Sequence, residues 1–169
     1  MPLKFALPTL LLAFASLTAA PVHAREGDRN QPLNVRAATV NVDEKSGVAV
    51  YRGNVLLIQG SLRVEADRLE VRTDKNRRLQ TLIATGRPAR LRGFTQDRDD
   101  ELQADAERIV YQAAKREIEI SGNAWARQGR DEFRAEHIFY GIDDKQLIAR
   151  GGADGRVHMI FQPRDTATP

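Results

Sequence analysis

Apolar side chains in this chain fall on every second position, the period of a strand with one buried face. Val48 and Val50, Val55 and Leu57, then Leu62, Val64 and Ala66 alternate with polar or outward neighbours, and Ile118 and Ile120 alternate with Glu117 and Glu119. Leu69 and Val71 continue on the opposite parity, which places a corner near Asp67. Polar or glycine-bearing turns at 43–47, 59–61, 112–115 and 143–145 separate the runs. Short strands closed by turns roughly every 8–12 residues predict a sandwich, barrel or solenoid. Segment 103–119 has a helix-like content of Ala, Glu and Lys, but propensity is a weak prior and the segment fits the repeat described next.

An Ala followed by a period-two apolar pair recurs four times. The units are Ala37-Ala38-Thr39-Val40-Asn41-Val42, Ala66-Asp67-Arg68-Leu69-Glu70-Val71, Ala106-Glu107-Arg108-Ile109-Val110-Tyr111 and Ala135-Glu136-His137-Ile138-Phe139-Tyr140, at offsets of 29, 40 and 29. A glycine follows each: Gly53, Gly122 and Gly151 lie 16 residues after the unit's first Ala, and Gly86 lies 20 after. The extra four residues are expected in the polar loop 73–78, because a strand cannot absorb an insertion without turning its faces over. Gly53-Asn54-Val55 also matches Gly122-Asn123-Ala124 at a shift of 69. Registered copies of this kind predict a repeat architecture.

The first 24 residues read differently. One positive charge, the apolar run FALPTLLLAFASLTAA at 5–20, and Val22-His23-Ala24 as a small-residue site make a secretory signal peptide with cleavage after Ala24. The apolar run is short of the roughly 20 residues that span a bilayer. Cleavage leaves 145 residues, one domain at 25–162 with a flexible tail at 163–169, and 25 basic against 23 acidic groups. That mixed surface is not a nucleic-acid-binding tail. With no cysteine, the fold relies on its core and backbone pairing, and thiolate metal sites and thiol chemistry are excluded.

The run from Tyr51 to Val71, carrying Gly53-Asn54-Val55, Gln59-Gly60 and Ala66-Asp67, resembles the OstA-like N-terminal domain family of the lipopolysaccharide export protein LptA. Gln31-Pro32-Leu33, Gly86-Arg87-Pro88-Ala89, the segment 106–111 and Gly122-Asn123-Ala124 agree with it, so the likeness covers about 31–161. The resemblance implies an open, slightly twisted β-jelly roll of about 16 short antiparallel strands. It implies a periplasmic protein whose apolar interior holds the acyl chains of lipopolysaccharide. It also implies a bridge between the membranes, with head-to-tail self-association, an LptC-like inner-membrane protein at the N-terminal edge and an LptD-like outer-membrane protein at the C-terminal edge. A cleavable leader and a chain of 169 residues fit LptA better than LptC, which keeps its membrane helix, or LptD, which continues into a large barrel.

A pocket for acyl chains needs aliphatic and aromatic walls with few polar groups. The candidate lipid-facing residues are Leu33, Val35, Val50, Val55, Leu57, Leu62, Val64, Leu69, Leu91, Ile109, Tyr111, Ile118, Ile120, Phe133, Ile138, Tyr140, Met159 and Phe161, with Val40, Val42, Val71, Leu102 and Val157 also inward. For each of them plain core packing is the stronger reading and lipid contact the alternative. Ala66, Ala89, Ala104, Ala124, Ala126, Ala135 and Ala149 stand where Val or Ile is favoured; they either leave room in a lumen or pack tightly at corners. The segments 33–36 and 156–161 are the candidate open edges for strand addition. Arginine outnumbers lysine 21 to 5, and the groups Arg87, Arg90, Arg92 and Arg127, Arg130, Arg134 are either phosphate ligands or a solvated ion-paired face.

No enzyme chemistry is apparent. His23, His137 and His158 are scattered without metal-ligand spacing, no serine has a nucleophile-elbow context, and no phosphate loop is present. Asp97, Asp99, Asp100 and Glu101 read as a charged hairpin loop rather than a calcium loop. The parity of Phe94 and Trp125 is ambiguous. No cofactor and no metal are expected. The competing readings are a structural or adhesive periplasmic β-repeat protein and a carbohydrate-active solenoid with paired carboxylates.

Overall fold

The computed structural model describes residues 31–94 and 101–162. These form one antiparallel sheet of ten strands and, among the described residues, no helix. The strands are β1 (Asn34–Arg36), β2 (Thr39–Asp43), β3 (Val48–Gln59), β4 (Leu62–Thr73), β5 (Leu79–Phe94), β6 (Glu101–Gln112), β7 (Glu117–Gln128), β8 (Asp131–Gly141), β9 (Leu147–Arg150) and β10 (His158–Ile160). The path runs β1-β3-β4-β5-β6-β7-β8-β10, with β2 also on β3 and β9 also on β8. β1 and β10 lie at opposite ends, so the sheet stays open, as expected of the open jelly roll.

Each pairing between long strands is interrupted once near its middle. The breaks fall between Arg52 and Val55, Glu65 and Arg68, Thr85 and Ala89, Asp105 and Arg108, and Ser121 and Ala124. A bulge bends its strand, and breaks aligned across neighbouring strands bend the whole sheet along one line. The two halves form two walls. The first holds β1, β10 and the halves that meet at the turns 59–62 and 128–131; the second holds β2, β9 and the halves that meet at 43–48, 73–79, 112–117 and 141–147. Leu57 and Val64 of the first wall share a single core cluster with Leu69, Ile109 and Ile138 of the second. A one-layer sheet with no helix over it hides such residues only by folding onto itself.

The strand count differs from the expected 16 for a physical reason. β3 to β8 each continue as one strand through the bend, with pairing resuming within a few residues of the break, so each counts once where the sequence suggested two short strands. β1 with β2, and β9 with β10, are the two halves of bent strands whose corners are fully broken.

The repeat is now explicit. Each Ala-led unit marks the corner leading into the second wall, and its glycine marks the corner on the way back. Gly53, Asn54, Gly122 and Asn123 have φ of 81°, 47°, 78° and 49°, the left-handed conformation that Gly tolerates and Asn accepts better than most residues. The corner near Asp67 is where the parity of β4 changes. The extra residues before Gly86 are only partly in the loop: 74–78 is little longer than its equivalents, and the rest lengthen the strand halves, with a further register break between Arg72 and Thr73. The leader, the loop 95–100 with most of the acidic cluster, and the tail lie outside the described residues.

Candidate functional site

Register places the inward side chains in rows that cross the sheet. On the first wall one row runs Val35, Leu57, Val64, Leu91, Ala104, Ala126, Phe133, Met159. On the second wall one row runs Val40, Tyr51, Leu69, Ala84, Ile109, Ile120, Ile138, Ala149, and beside it another runs Val42, Ala49, Val71, Leu82, Tyr111, Ile118, Tyr140, Leu147. Every member is apolar or aromatic. Directly opposed side chains on one face touch, so each row is an uninterrupted greasy track from one end of the molecule to the other.

Val55, Leu57, Val64, Leu69, Leu91, Ile109, Ile118, Ile120, Phe133 and Ile138 are buried in the common core, and Val35, Leu62 and Tyr111 pack against it half-buried. Tyr140 is half-buried at the end of its row. Burial pushes the Tyr111 phenol above its ordinary pKa, and Asp143 acts in the same direction.

Val50 departs from expectation. It faces outward, opposite Glu70, while its neighbours Ala49 and Tyr51 take the inner face opposite Val71 and Leu69. The run Val48-Ala49-Val50-Tyr51 is apolar at both parities, and only the register with β4 decides between them. Tyr51 and Leu82 are therefore inner residues that alternation alone did not reveal. Leu33, Met159 and Phe161 are also not interior: they lie exposed at the two ends, because no further strand covers them.

The alanines settle on tight packing. Ala84, Ala89 and Ala104 have no exposed surface, and Ala66, Ala106, Ala124 and Ala126 have almost none. They concentrate beside the bend, where the walls are closest. Outward from there, apolar side chains are exposed at both margins: Leu33, Val40 and Val42 at one, and Val157, Met159 and Phe161 at the other, with Ile148 and Ile160 on the outer face of β9 and β10. Phe161 stays 63% exposed although its ring meets Phe133 edge-on at 5.9 Å.

The outer face of the first wall is polar and internally paired, while that of the second wall carries the row Val50, Glu70, Ile83, Val110, Glu119, Phe139, Ile148. Glu70 is buried to 7% exposure, and its carboxylate accepts from Arg68 Nη2 at 2.5 Å and Arg72 Nε at 2.7 Å. These bonds, Arg68 first, hold its pKa below the ordinary value. Arg90, Arg92, Arg127 and Arg134 share the outer side of the first wall, while Arg87 lies at the bend and Arg130 on the turn after β7. Arg90 lies 3.9 Å from Glu65 and 3.7 Å from Asp105, Arg92 donates to Gln103 Oε1, Arg134 pairs with Glu132, and Arg127 sits over the Trp125 ring at 5.8 Å. Trp125 thus points outward, in register with Asp105 and Arg134. This is the ion-paired face, turned away from the apolar rows. An open polar notch lined by Asp67, Thr85, Gly86, Arg87 and Glu107 lies at the bend. Among the described residues no group of three or more His, Cys, Asp or Glu is placed to hold a metal.

Against known proteins, a family model described as LptA/(LptD N-terminal domain) LPS transport protein matches residues 34–146. The chain belongs to this family. It is 29% identical over 169 residues to lipopolysaccharide export system protein LptH of Pseudomonas aeruginosa, covering 95% of this chain and 96% of that one. It is 26% identical over 156 residues to lipopolysaccharide export system protein LptA of Escherichia coli K12, covering 91% and 84%. The crystal structure of LptH, titled the LptA homologous periplasmic component of the lipopolysaccharide transport device of P. aeruginosa, superposes with a TM-score of 0.71 at 28% identity, covering 80% of this chain and 99% of that one.

Within this LptA/LptD N-terminal family fold, the arrangement suits apolar binding and strand addition. The inner rows offer hydrocarbon a non-polar surface and no hydrogen-bonding groups apart from the Tyr hydroxyls. The margins offer unpaired backbone groups beside exposed apolar side chains, the combination that strand addition uses.

Proposed function

We propose that the chain is a periplasmic carrier of lipopolysaccharide that shelters the acyl chains between its two walls and works as a carrier rather than a catalyst. The observation that carries this reading is the continuity of the inner apolar rows from Val35, Val40 and Val42 at one margin to Met159, Ala149 and Leu147 at the other. Burial is worth about 0.8 kcal/mol per methylene, so a chain of about twelve carbons gains at most about 9 kcal/mol. That gain holds the lipid but gives it no direction; directional movement has to be driven from outside this domain.

Strand direction supports a head-to-tail bridge. β1 runs antiparallel to the first-wall half of β3, and β10 antiparallel to that of β8, so β10 points toward the first-wall rim and β1 away from it. β9 and β2 are opposed in the same way on the second wall. A following copy in the same orientation thus meets β10 with its β1 and β9 with its β2, both antiparallel, and all three apolar rows continue across the junction. The same edges suit an LptC-like domain before β1 and an LptD-like domain after β10. Such contacts are heterologous and extend without closing.

A photo-crosslinking amino acid at Leu57, Leu91 or Ile120 should capture lipopolysaccharide in cells, and one at Glu119 on the outer face should not. Equal capture inside and outside, or none at either, overturns the carrier reading in favour of a structural β-repeat.

A further inference from the structure

The walls are joined along the bend, so on the opposite side they end in two separate rows of turns, one rim to each wall. A polar group is costly among the apolar rows, which hold almost no partner for it. A lipid whose acyl chains lie along those rows therefore carries its headgroup out past the rims, and the two rims differ in chemistry. After the leader, lysine occurs at four positions only, 45, 75, 115 and 145. All four are exposed on the second-wall rim, one to a turn: Lys45 between β2 and β3, Lys75 between β4 and β5, Lys115 between β6 and β7, and Lys145 between β8 and β9. Successive turns are two strands apart, so the lysines recur about every 10 Å along the molecule. Of the first-wall turns among the described residues, 59–62 carries no charge and 128–131 carries Arg130 with Asp131.

The turn backbones carry a second, independent sign. On the first-wall rim the left-handed position belongs to Gly60 and Gly129, with φ of 57° and 60°. On the second-wall rim Arg77, Arg116 and Lys145 hold that conformation, at 60°, 54° and 55°, and the fourth turn uses Gly47 at 68°. Long side chains are disfavoured there relative to Gly or Asn, so three turns keep a cation where turn formation alone selects glycine. Strain of this kind gathers at functional positions. Most acids of the rim are drawn into the turns themselves. Asp43 accepts from the backbone N–H groups of Lys45 and Ser46, Asp74 from those of Asn76 and Arg78, and Asp144 from that of Gln146. Asp143 and Glu117 lie against Arg116 and Lys115, and Glu44 has no such tie among the described residues.

We propose that the second-wall rim is a phosphate-binding rail: Lys45, Lys75, Lys115 and Lys145, with Arg77 and Arg116, take the phosphate groups of the cargo's headgroup while the acyl chains lie between the walls. This rests on the carrier reading above and adds which rim the headgroup faces. An ammonium group meets phosphate as a point charge without a fixed geometry. Even spacing then lets a phosphate pass from one lysine to the next with no position holding it much more tightly than its neighbours.

A variant with Lys45→Gln, Lys75→Gln, Lys115→Gln and Lys145→Gln removes the rail. One with Arg52→Gln, Arg108→Gln, Arg127→Gln and Arg150→Gln removes the same charge from the outer faces. At low salt, binding of purified lipopolysaccharide to the full chain should weaken about tenfold in the lysine variant and stay within about twofold in the arginine variant. Lys→Arg at the same four positions should bind as the parent does. Lipopolysaccharide stripped of its phosphates should bind the parent and the lysine variant with one and the same, reduced affinity. Equal losses in the lysine and arginine variants overturn the rail, since net charge alone then attracts the lipid. Undiminished binding in the lysine variant, or a loss that persists with the stripped lipid, overturns it as well, and both leave the carrier reading standing. Inorganic phosphate should not displace the lipid from the parent; lysine-dependent displacement makes the rim a site for free anions and overturns the headgroup assignment. A parent that binds neither form of the lipid overturns the carrier reading and the rail with it.

Discussion

Gly122 faces Glu107 across the bend so closely that a Cβ built on it would stand 2.8 Å from the Glu107 Cβ. The same relation joins Gly53 to Ala38, again at 2.8 Å. In both repeats the returning strand crosses the corner of the outgoing one with no room for a side chain, and in both the glycine has positive φ. The sequence spacing between each Ala-led unit and its glycine is the length of chain needed to run out along the second wall and return to its corner.

Gly122→Ala combines a left-handed alanine with this clash, and the two together should cost about 2–4 kcal/mol. Gly155 has a similar φ of 67° but nothing within 4 Å of the added Cβ, so Gly155→Ala should cost only about 1 kcal/mol. Urea unfolding of the two variants checks this. Equal losses would mean that φ alone, and not the crossing, requires glycine at the corner.

Glu70 ties Arg68 and Arg72 together on the outer face, and Arg68 stands directly opposite Arg52. Like charges opposed across a sheet repel, so the carboxylate offsets the repulsion between Arg68 and Arg52. Its folded pKa is depressed below the ordinary 4.5; its contribution is therefore present above pH 4.5 and is lost as pH falls through the lower folded value. Glu70→Gln should lower stability at neutral pH by about 1–2 kcal/mol and by much less below the folded pKa. Unfolding free energies measured from pH 7 down to acid should converge for variant and parent; a constant gap would remove the charge from the explanation.

At the N-terminal margin Val42 is 58% exposed although it ends an inner apolar row. Val42→Arg adds charge where little is packed, so stability should change by no more than about 0.5 kcal/mol. In a head-to-tail stack the same site meets Leu147 of the preceding copy, and the charge would be buried without a partner. Sedimentation velocity over a concentration series should show self-association of the parent and its loss in the variant. Unaltered association would place the junction on another surface.

The sequence disclosed the all-β class, the repeat, the corner near Asp67 and most inner residues, because each follows from alternation and glycine spacing alone. What it concealed was set by pairing. Val50 and Tyr51 differ in face only because β3 meets β4 in one register, and nothing local to Val48-Ala49-Val50-Tyr51 encodes that. Whether β3 is one bent strand or two short ones depends on pairing with β4 resuming at Val55 directly after Gly53-Asn54, a property of the neighbouring strand. Leu33 and Phe161 have interior chemistry but lie just beyond β1 and β10, and Met159 lies on β10, a margin strand paired on one side only, so composition suggested burial where topology gives exposure.

Ile109 separates packing from cargo. It is fully buried, between Ala84 and Ile120 in the second-wall row. Ile109→Ala removes three carbon groups and leaves a hole that the surrounding ladders cannot close, so it should destabilise the lipid-free protein by about 2–5 kcal/mol. A ligand that binds only the folded form raises stability according to its affinity, and an apolar hole is itself a site for apolar ligands. If acyl chains run along the inner rows, lipopolysaccharide should raise the Tm of Ile109→Ala by more than it raises that of the parent, since the hydrocarbon takes the place of the missing side chain. Thermal unfolding with and without lipid measures both shifts. A smaller rise in the variant would make Ile109 a packing residue alone and direct the search for the acyl chains to the first wall.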